Sequence, residues 1–335
     1  MLRRFWINRK VRYMDVQELQ ERQRWSLKQK IDHSLFTIET YISRTEGQCY
    51  VAFSGGKDSS VLLDLVRMID PTIPAVFVNT GNEYPDIIKF VRHLRDDKGY
   101  NIIELTPKMK PREVWSKYGF PLISKAQAEY IDRWRKNPVY GLEQQKRAEA
   151  KGWAFGRVSD KWKYLIYEPY HTSNLCCDIL KKNPAKKYEK ETGRHPILGM
   201  MASESNLRQT EYIRRGGCNT FGEDGSRIRS TPLAIWTDKD IWEYIKERNL
   251  EISAVYYKGA DRTGCVGCGF GCQFKDDTRF DLLWMLHPKY YEMIMDYTNN
   301  GVKYRDAIRK IFHRMGKELP DESGRIYFKE DFIKH

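Results

Sequence analysis

A doubly wound, mostly parallel α/β sheet is the fold this sequence predicts, and three observations predict it. Short apolar runs at Cys49–Phe53, Ala75–Asn79 and Asn101–Leu105 alternate with stretches whose apolar residues recur at helical spacing. The first run ends in Ser54-Gly55-Gly56 and enters a helix at about Ser59. The second ends in T-G-N-E-Y-P, where Pro85 opens a helix that runs to about Asp97. Sheets of this kind bind ligands beyond the carboxyl ends of their strands, where both turns fall.

The chain of 335 residues is long enough for one large domain with additions, and its 41% hydrophobic and 31% charged content is that of a globular protein. No run of eighteen apolar residues occurs, and the first ten residues lack the apolar core of a signal peptide, so the expected location is cytoplasmic, with no membrane partner. There the seven cysteines would stay reduced unless metal holds them. A formal charge of +13 favours a polyanionic partner.

Three segments are expected. Positions 1–46 form a basic arm and a helix; 47–275 form the α/β domain, with a basic, aromatic insertion at about 108–165; 276–335 are helical. Positions 1–12 hold five basic residues, no acidic ones, and Phe5 and Trp6, either a phosphate-gripping arm or a solvated tail. The apolar spacing from Asp15 to Arg44 predicts one long amphipathic helix. Further on, His195–Ala202 reads as a strand, and Ser230–Trp236 leads to a helix at Asp238–Arg248 that Asp238 or Thr237 can cap. Helices at about Thr278–Tyr297 and Tyr304–Met315 close the chain.

The Ser54–Ser60 loop carries the clearest chemistry. Two glycines let the backbone turn several N–H groups toward one point, and a helix N-terminus adds partial positive charge, which together cradle phosphate. Val51 and Asp58 stand where a Walker A loop needs Gly and Ser or Thr, which rules that motif out. The alternative is a strand-to-helix turn without a ligand. Glu83, just before the Pro85 helix, suits either the same ligand or a capping role.

Between Ile131 and Lys163 nine Lys or Arg face four Asp or Glu, interleaved with Trp134, Tyr140, Trp153, Phe155 and Trp162. Cations neutralise phosphates and rings stack on bases, which suits nucleic acid. The other reading is an insertion whose rings form its own small core. Among the cysteines, Cys49 and Cys218 stand alone and read as buried apolar residues. Cys176 and Cys177 are adjacent, Cys265 and Cys268 form a C-x-x-C on a glycine-rich turn, and Cys272 follows. An adjacent pair is poor geometry for tetrahedral zinc but can serve two corners of an iron–sulfur cubane; zinc, or a thiol site without metal, stays open.

The string S-G-G-K-D-S resembles the pyrophosphate loop of the ATP pyrophosphatases that split ATP into AMP and pyrophosphate. C-C-D-I-L-K-K-N-P, the later G-C-V-G-C, G-M-M-A-S-E-S-N-L-R and S-T-P-L-A-I-W-T-D-K-D-I-W are together similar to motifs of the phosphoadenosine phosphosulfate reductase family, with its adenine nucleotide alpha hydrolase-like fold. The resemblance covers about Cys49 to Cys272. It implies that Cys176, Cys177, Cys265 and Cys268 hold a [4Fe–4S] cluster. It also implies that Ser54, Gly55, Gly56, Ser59 and Ser60 cradle phosphates of ATP, with Lys57 neutralising charge and Asp58 holding Mg²⁺. Asn79, Thr80, Gly81, Glu204 and Arg208 join the nucleotide set.

Two departures point away from the reductases. No cysteine follows Cys272, where they carry a nucleophile near the C-terminus, and the loop is intact where theirs is degraded. An intact ATP loop together with a cluster resembles the sulfur-inserting branch, which includes tRNA thiolases and DNA phosphorothioation ATPases. The implied activity is ATP-dependent adenylation and thiolation of tRNA or DNA, with sulfur from a cysteine desulfurase or other donor. Cys272 is the spare thiol, as sulfur carrier or alternative ligand. A sulfonucleotide reductase, an ATP sulfurylase-like enzyme and a non-catalytic iron–sulfur subunit are the alternatives. Lys57 and Asp58 are expected to stand exposed above the loop.

Overall fold

The computed structural model describes residues 15–153, 155–222 and 227–327. The basic arm at positions 1–12, with Phe5 and Trp6, lies outside them. The chain forms two compact units, each assembled from three stretches. Met1–Phe77, Lys89–Glu104 and Tyr188–Ser253 make the first, and Val78–Ile88, Leu105–Lys187 and Ala254–His335 the second.

The first unit is built on a six-stranded sheet. Its order is Ile102–Leu105, Ala75–Val78, Cys49–Phe53, His195–Leu198, Arg229–Ser230, Asn219–Thr220. Cys49–Phe53 pairs in parallel on both sides, Val51 facing Ala75 and Ile197, and only the Asn219–Thr220 edge is antiparallel. Cys49, Val51 and Phe53 are buried, as a strand covered on both faces requires. The Lys57–Ile69 helix that follows buries Val61, Leu62, Leu65 and Val66. This is the mostly parallel, helix-flanked sheet that the alternating pattern predicts. No helix among the described residues is long and apolar enough to cross a membrane.

Two elements differ from the sequence reading, each for a local reason. The long N-terminal helix is two, Val16–Gln23 and Leu27–Arg44. Ser26 caps the second, its hydroxyl accepting from Gln29 N while the Gln29 side chain accepts from Ser26 N; that capping box restarts the helix. The helix expected over 278–297 divides into Arg279–Leu286 and Pro288–Met295, because Pro288 has no N–H to continue the ladder. The stretch that leads into the Asp238 helix is strand only as far as Ser230. Leu233, Ala234, Ile235 and Trp236 are buried in successive turns, Ala234 N donating to Thr231 O and Trp236 N to Leu233 O, so an apolar run here marks core and not extension.

In the second unit, Leu122–Ile123 pairs in parallel with Gly269–Phe270. Trp115, Phe120, Tyr170, Tyr297 and Tyr304 pack as one aromatic cluster beside this pair. Asn299, 1% exposed, ties the cluster together: its side-chain amide donates to Trp115 O and Ser116 O, and its carbonyl accepts from His171 N. The helices Lys125–Lys136 and Pro138–Ala150 meet at Asn137. They lie so close that a Cβ on Gly141 would come within 2.6 Å of Trp134 Cγ.

Candidate functional site

The Ser54–Lys57 loop leaves the carboxyl end of its strand through Gly55 at φ +72°, a conformation that side-chain-bearing residues rarely adopt. Gly56 is the N-cap of the Lys57–Ile69 helix and offers no side chain to the helix N–H groups. Those donors stay directed at the loop mouth. Serines fasten the loop from within. Ser54 N donates to Ser59 Oγ at 3.2 Å, and the Ser59 and Ser60 hydroxyls donate to Gly56 O at 2.8 and 3.1 Å. Gly199 of the neighbouring strand end packs against the same helix start, where a Cβ would lie 3.3 Å from Asp58 O.

Lys57 departs from the exposed position expected of it. It is 5% exposed, and its ammonium donates to Asp58 Oδ1 at 2.9 Å and Asp238 Oδ1 at 2.5 Å, 5.9 Å from the centre of the Trp242 ring. Burial opposes the charge, but the two carboxylates outweigh it and raise the Lys57 pKa. Asp58 is itself only partly exposed, so neither side chain stands clear of the loop. Thr237 is the cap of the Asp238–Glu247 helix, which leaves Asp238 to pair with Lys57. Sequence reading missed this role, since an acid at a helix start also reads as a cap. Also in the first unit, Glu204 accepts from Met201 N and pairs with Arg208, whose own N is capped by Ser205.

In the second unit, Asn79 Oδ1 accepts from Gly81 N at 3.1 Å, and the Thr80 hydroxyl donates to Glu83 Oε1 at 2.7 Å. Gly81 takes φ +79° and abuts Pro111. Glu83 turns back into the loop that precedes the Pro85 helix. It accepts from Asn82 N as well, and burial pushes its carboxyl above the usual range. Val266 N donates to Asn82 O at 2.6 Å, joining this turn to the cysteine turn of the same unit.

That cysteine turn is tightly determined. Gly267 adopts φ +67° against Ile294, and a Cβ on Gly269 would fall 2.5 Å from Pro121 O and 2.8 Å from the Tyr304 hydroxyl. Tyr304 donates to Gly267 O at 2.7 Å and Arg279 to Cys268 O at 3.0 Å, two supports that sequence reading did not identify. Cys176 and Cys177 occupy the helical turn Leu175–Cys177. A thiol hydrogen bond from Cys176 lowers the Cys177 thiol, and Cys176 rises in return. Burial pushes Cys265 up to about 12 and Cys268 to about 11. The charges of Cys265, Cys268 and Cys177 all act on Cys176, so these four thiols share one neighbourhood. The donor set is all sulfur, which fits a soft iron–sulfur or zinc centre. Among the described residues, no group of three or more His, Cys, Asp or Glu converges as ligands of a single ion.

Cys272 stands apart from the carrier role expected of it. It is wholly buried, and burial pushes its thiol up to about 12, so it is protonated at neutral pH and screened from any substrate in this conformation. Cys49 and Cys218 are buried, as their isolation suggested.

A family model described as the phosphoadenosine phosphosulfate reductase domain matches residues 48–137 and 128–269. An uncharacterized protein of Methanocaldococcus jannaschii is 24% identical over 321 residues, covering 94% of this chain and 63% of that protein. A second uncharacterized protein of the same organism is 26% identical, covering 74% of this chain and 41% of its own length. The chain thus spans less than two thirds of either relative. Adenosine 5'-phosphosulfate reductase 2 of Bacillus subtilis is 25% identical over 240 residues, covering 70% of this chain and 79% of the reductase.

Proposed function

Since the chain belongs to the phosphoadenosine phosphosulfate reductase family, we propose that it cleaves ATP to AMP and pyrophosphate and uses the adenylate to place sulfur on a nucleic acid. The observation that carries this reading is the loop itself. A lysine sits at the first position of a glycine-capped helix whose N–H groups have no side-chain cap.

In this reading a carbonyl or phosphate oxygen of the substrate attacks the α-phosphorus of ATP. The new P–O bond forms as the bond to the β-phosphate breaks, and pyrophosphate leaves with the electron pair. Ser54, Gly55, Gly56, Ser59 and Ser60 hold the departing phosphates, and Lys57 neutralises their growing charge. Asp58 holds Mg²⁺. Asn79, Thr80, Gly81, Glu204 and Arg208 are the remaining nucleotide contacts that the family resemblance assigns. A sulfide-level donor then forms the new bond to sulfur as AMP leaves, its proton passing to water. Cys176, Cys177, Cys265 and Cys268 are the residues that would hold a [4Fe–4S] cluster, which when bound supplies soft iron sites for anionic sulfur. The sulfur comes from a cysteine desulfurase or another donor protein. The net charge of +13 supports tRNA or DNA as the acceptor.

The test is product analysis of the protein incubated with ATP and Mg²⁺. AMP and pyrophosphate are expected, lost in Lys57→Met, which keeps the buried stem of the lysine and removes its charge. Release of ADP and phosphate instead overturns the reading. The similarity to adenosine 5'-phosphosulfate reductases favours a second one, reduction of a sulfonucleotide. Thiol-dependent sulfite release from adenylylsulfate, with no ATP cleavage, identifies it.

A further inference from the structure

The lysine of the loop already has its charge matched twice over. Asp58 is its sequence neighbour, but Asp238 reaches it from a helix 181 residues along the chain. Both carboxylates lie on the ammonium that arriving phosphates would need. The two partners of the Lys57–Asp238 pair differ in freedom. Asp238 is the first residue of its helix, whose start is fixed on both sides. Thr237 N and Oγ1 donate to Asp240 Oδ2 at 2.7 Å, and the buried Lys30 ammonium donates to the same oxygen. The Asp238 side chain is nonetheless 53% exposed. Lys57, by contrast, carries its charge on a four-carbon stem that can swing.

We propose that Asp238 is a positioning residue that holds the Lys57 ammonium at the loop until polyphosphate takes its place, so that Asp238 competes directly with the phosphates for that one cation. This rests on reading the loop as a polyphosphate cradle. Asp238 therefore weakens ground-state binding of the polyphosphate while keeping Lys57 aligned for the bond-breaking step. It acts through Lys57 and touches no reacting atom.

The test uses the full-length protein with inorganic pyrophosphate as the probe, in wild type, Asp238→Asn, Asp238→Glu and Lys57→Met. Asp238→Asn should bind pyrophosphate on the order of tenfold tighter, the factor expected when one close charge is removed from a partly exposed site. Asp238→Glu should return the wild-type affinity, and the KM for ATP should fall in Asp238→Asn without a matching rise in kcat. The tighter binding should persist at about 0.5 M salt, where longer-range repulsion is screened. Unchanged or weaker binding by Asp238→Asn overturns the proposal, and so does a gain that vanishes in salt. Failure of the cradle reading has a different signature, Lys57→Met binding pyrophosphate as well as wild type.

Discussion

The ammonium of Lys30 donates to Asp240 Oδ2 at 2.7 Å although the two residues are only 1% and 7% exposed. The pair joins the Leu27–Arg44 helix to the start of the Asp238–Glu247 helix. Lys30 also donates to Gln23 O at 2.8 Å, and Asp240 closes a capping box with Thr237, so both charges have further partners. A buried ion pair of this kind contributes little net stability while intact, but loss of one partner strands the other charge.

Lys30→Met should therefore destabilise the protein by about 3–5 kcal/mol, and Lys30→Met with Asp240→Leu should recover much of that loss. Chemical denaturation of both variants measures it. A single variant as stable as wild type would show that water reaches Asp240.

That contact also marks what the sequence could and could not disclose. The sheet and the loop were legible because their signals are local: apolar runs, paired glycines and a proline at a helix start. The loop's electrostatics were not, because Lys57 and Asp238, 181 positions apart, meet only after the chain has folded. The same holds for Cys272, whose spacing from Cys268 is shared by carriers, ligands and buried thiols. Only packing, which leaves it 0% exposed, separates these roles. In the insertion, composition could not sort the rings. Trp162 is buried, Trp134 lies against Gly141, and Trp153 is 47% exposed, so core and surface aromatics occur side by side.

The four clustered thiols lead to an expectation about metal content. Protein purified without oxygen should carry about four irons per chain if the all-sulfur set holds a cubane. Cys177→Ser, Cys265→Ser and Cys268→Ser should each lose most of the iron, whereas Cys49→Ser and Cys218→Ser should keep it. Iron analysis decides the matter, and one zinc per chain in its place would assign the site to zinc.

Asp86 supplies a pH-dependent contribution in the second unit. Lys258 Nζ donates to it at 2.7 Å, and His287 Nε2 lies 2.9 Å from its other oxygen. Burial works against the carboxylate, but these two partners prevail and hold the Asp86 pKa below its ordinary value. A carboxyl lowered on folding stabilises the fold above its unfolded pKa, about 3.9, and that contribution is lost as pH falls through the lower folded value. Wild type should thus be more stable than Asp86→Asn at about pH 5, and the gap should close as pH falls below about 4. Thermal melts across that range measure it, and a gap as wide at low pH as at pH 5 would rule out the ion pair as its source.

Nucleic-acid binding offers the sharpest test of the proposed substrate, and the insertion's geometry says which residues to change. Arg135 is not one of them, since it donates to Glu168 O at 2.8 Å and to Tyr170 O at 2.6 Å and so fastens the backbone. Arg133 and Lys136 are paired on their own helix with Glu129 and Asp132. Lys146, Arg147 and Lys151 are exposed, and the Lys151 ammonium lies 4.4 Å from the centre of the half-exposed Trp153 ring. A cation beside an available ring suits a phosphate and a stacked base together. Charge reversal at Lys146, Arg147 and Lys151 should weaken tRNA or DNA binding and flatten its salt dependence while leaving the melting temperature in place. Trp153→Ala should cost about 1–3 kcal/mol of binding with the fold intact. Trp134→Ala should instead lower the melting temperature, because it opens a cavity against Gly141. Binding that ignores both salt and Trp153 would move the substrate from nucleic acid to a small sulfur-bearing molecule.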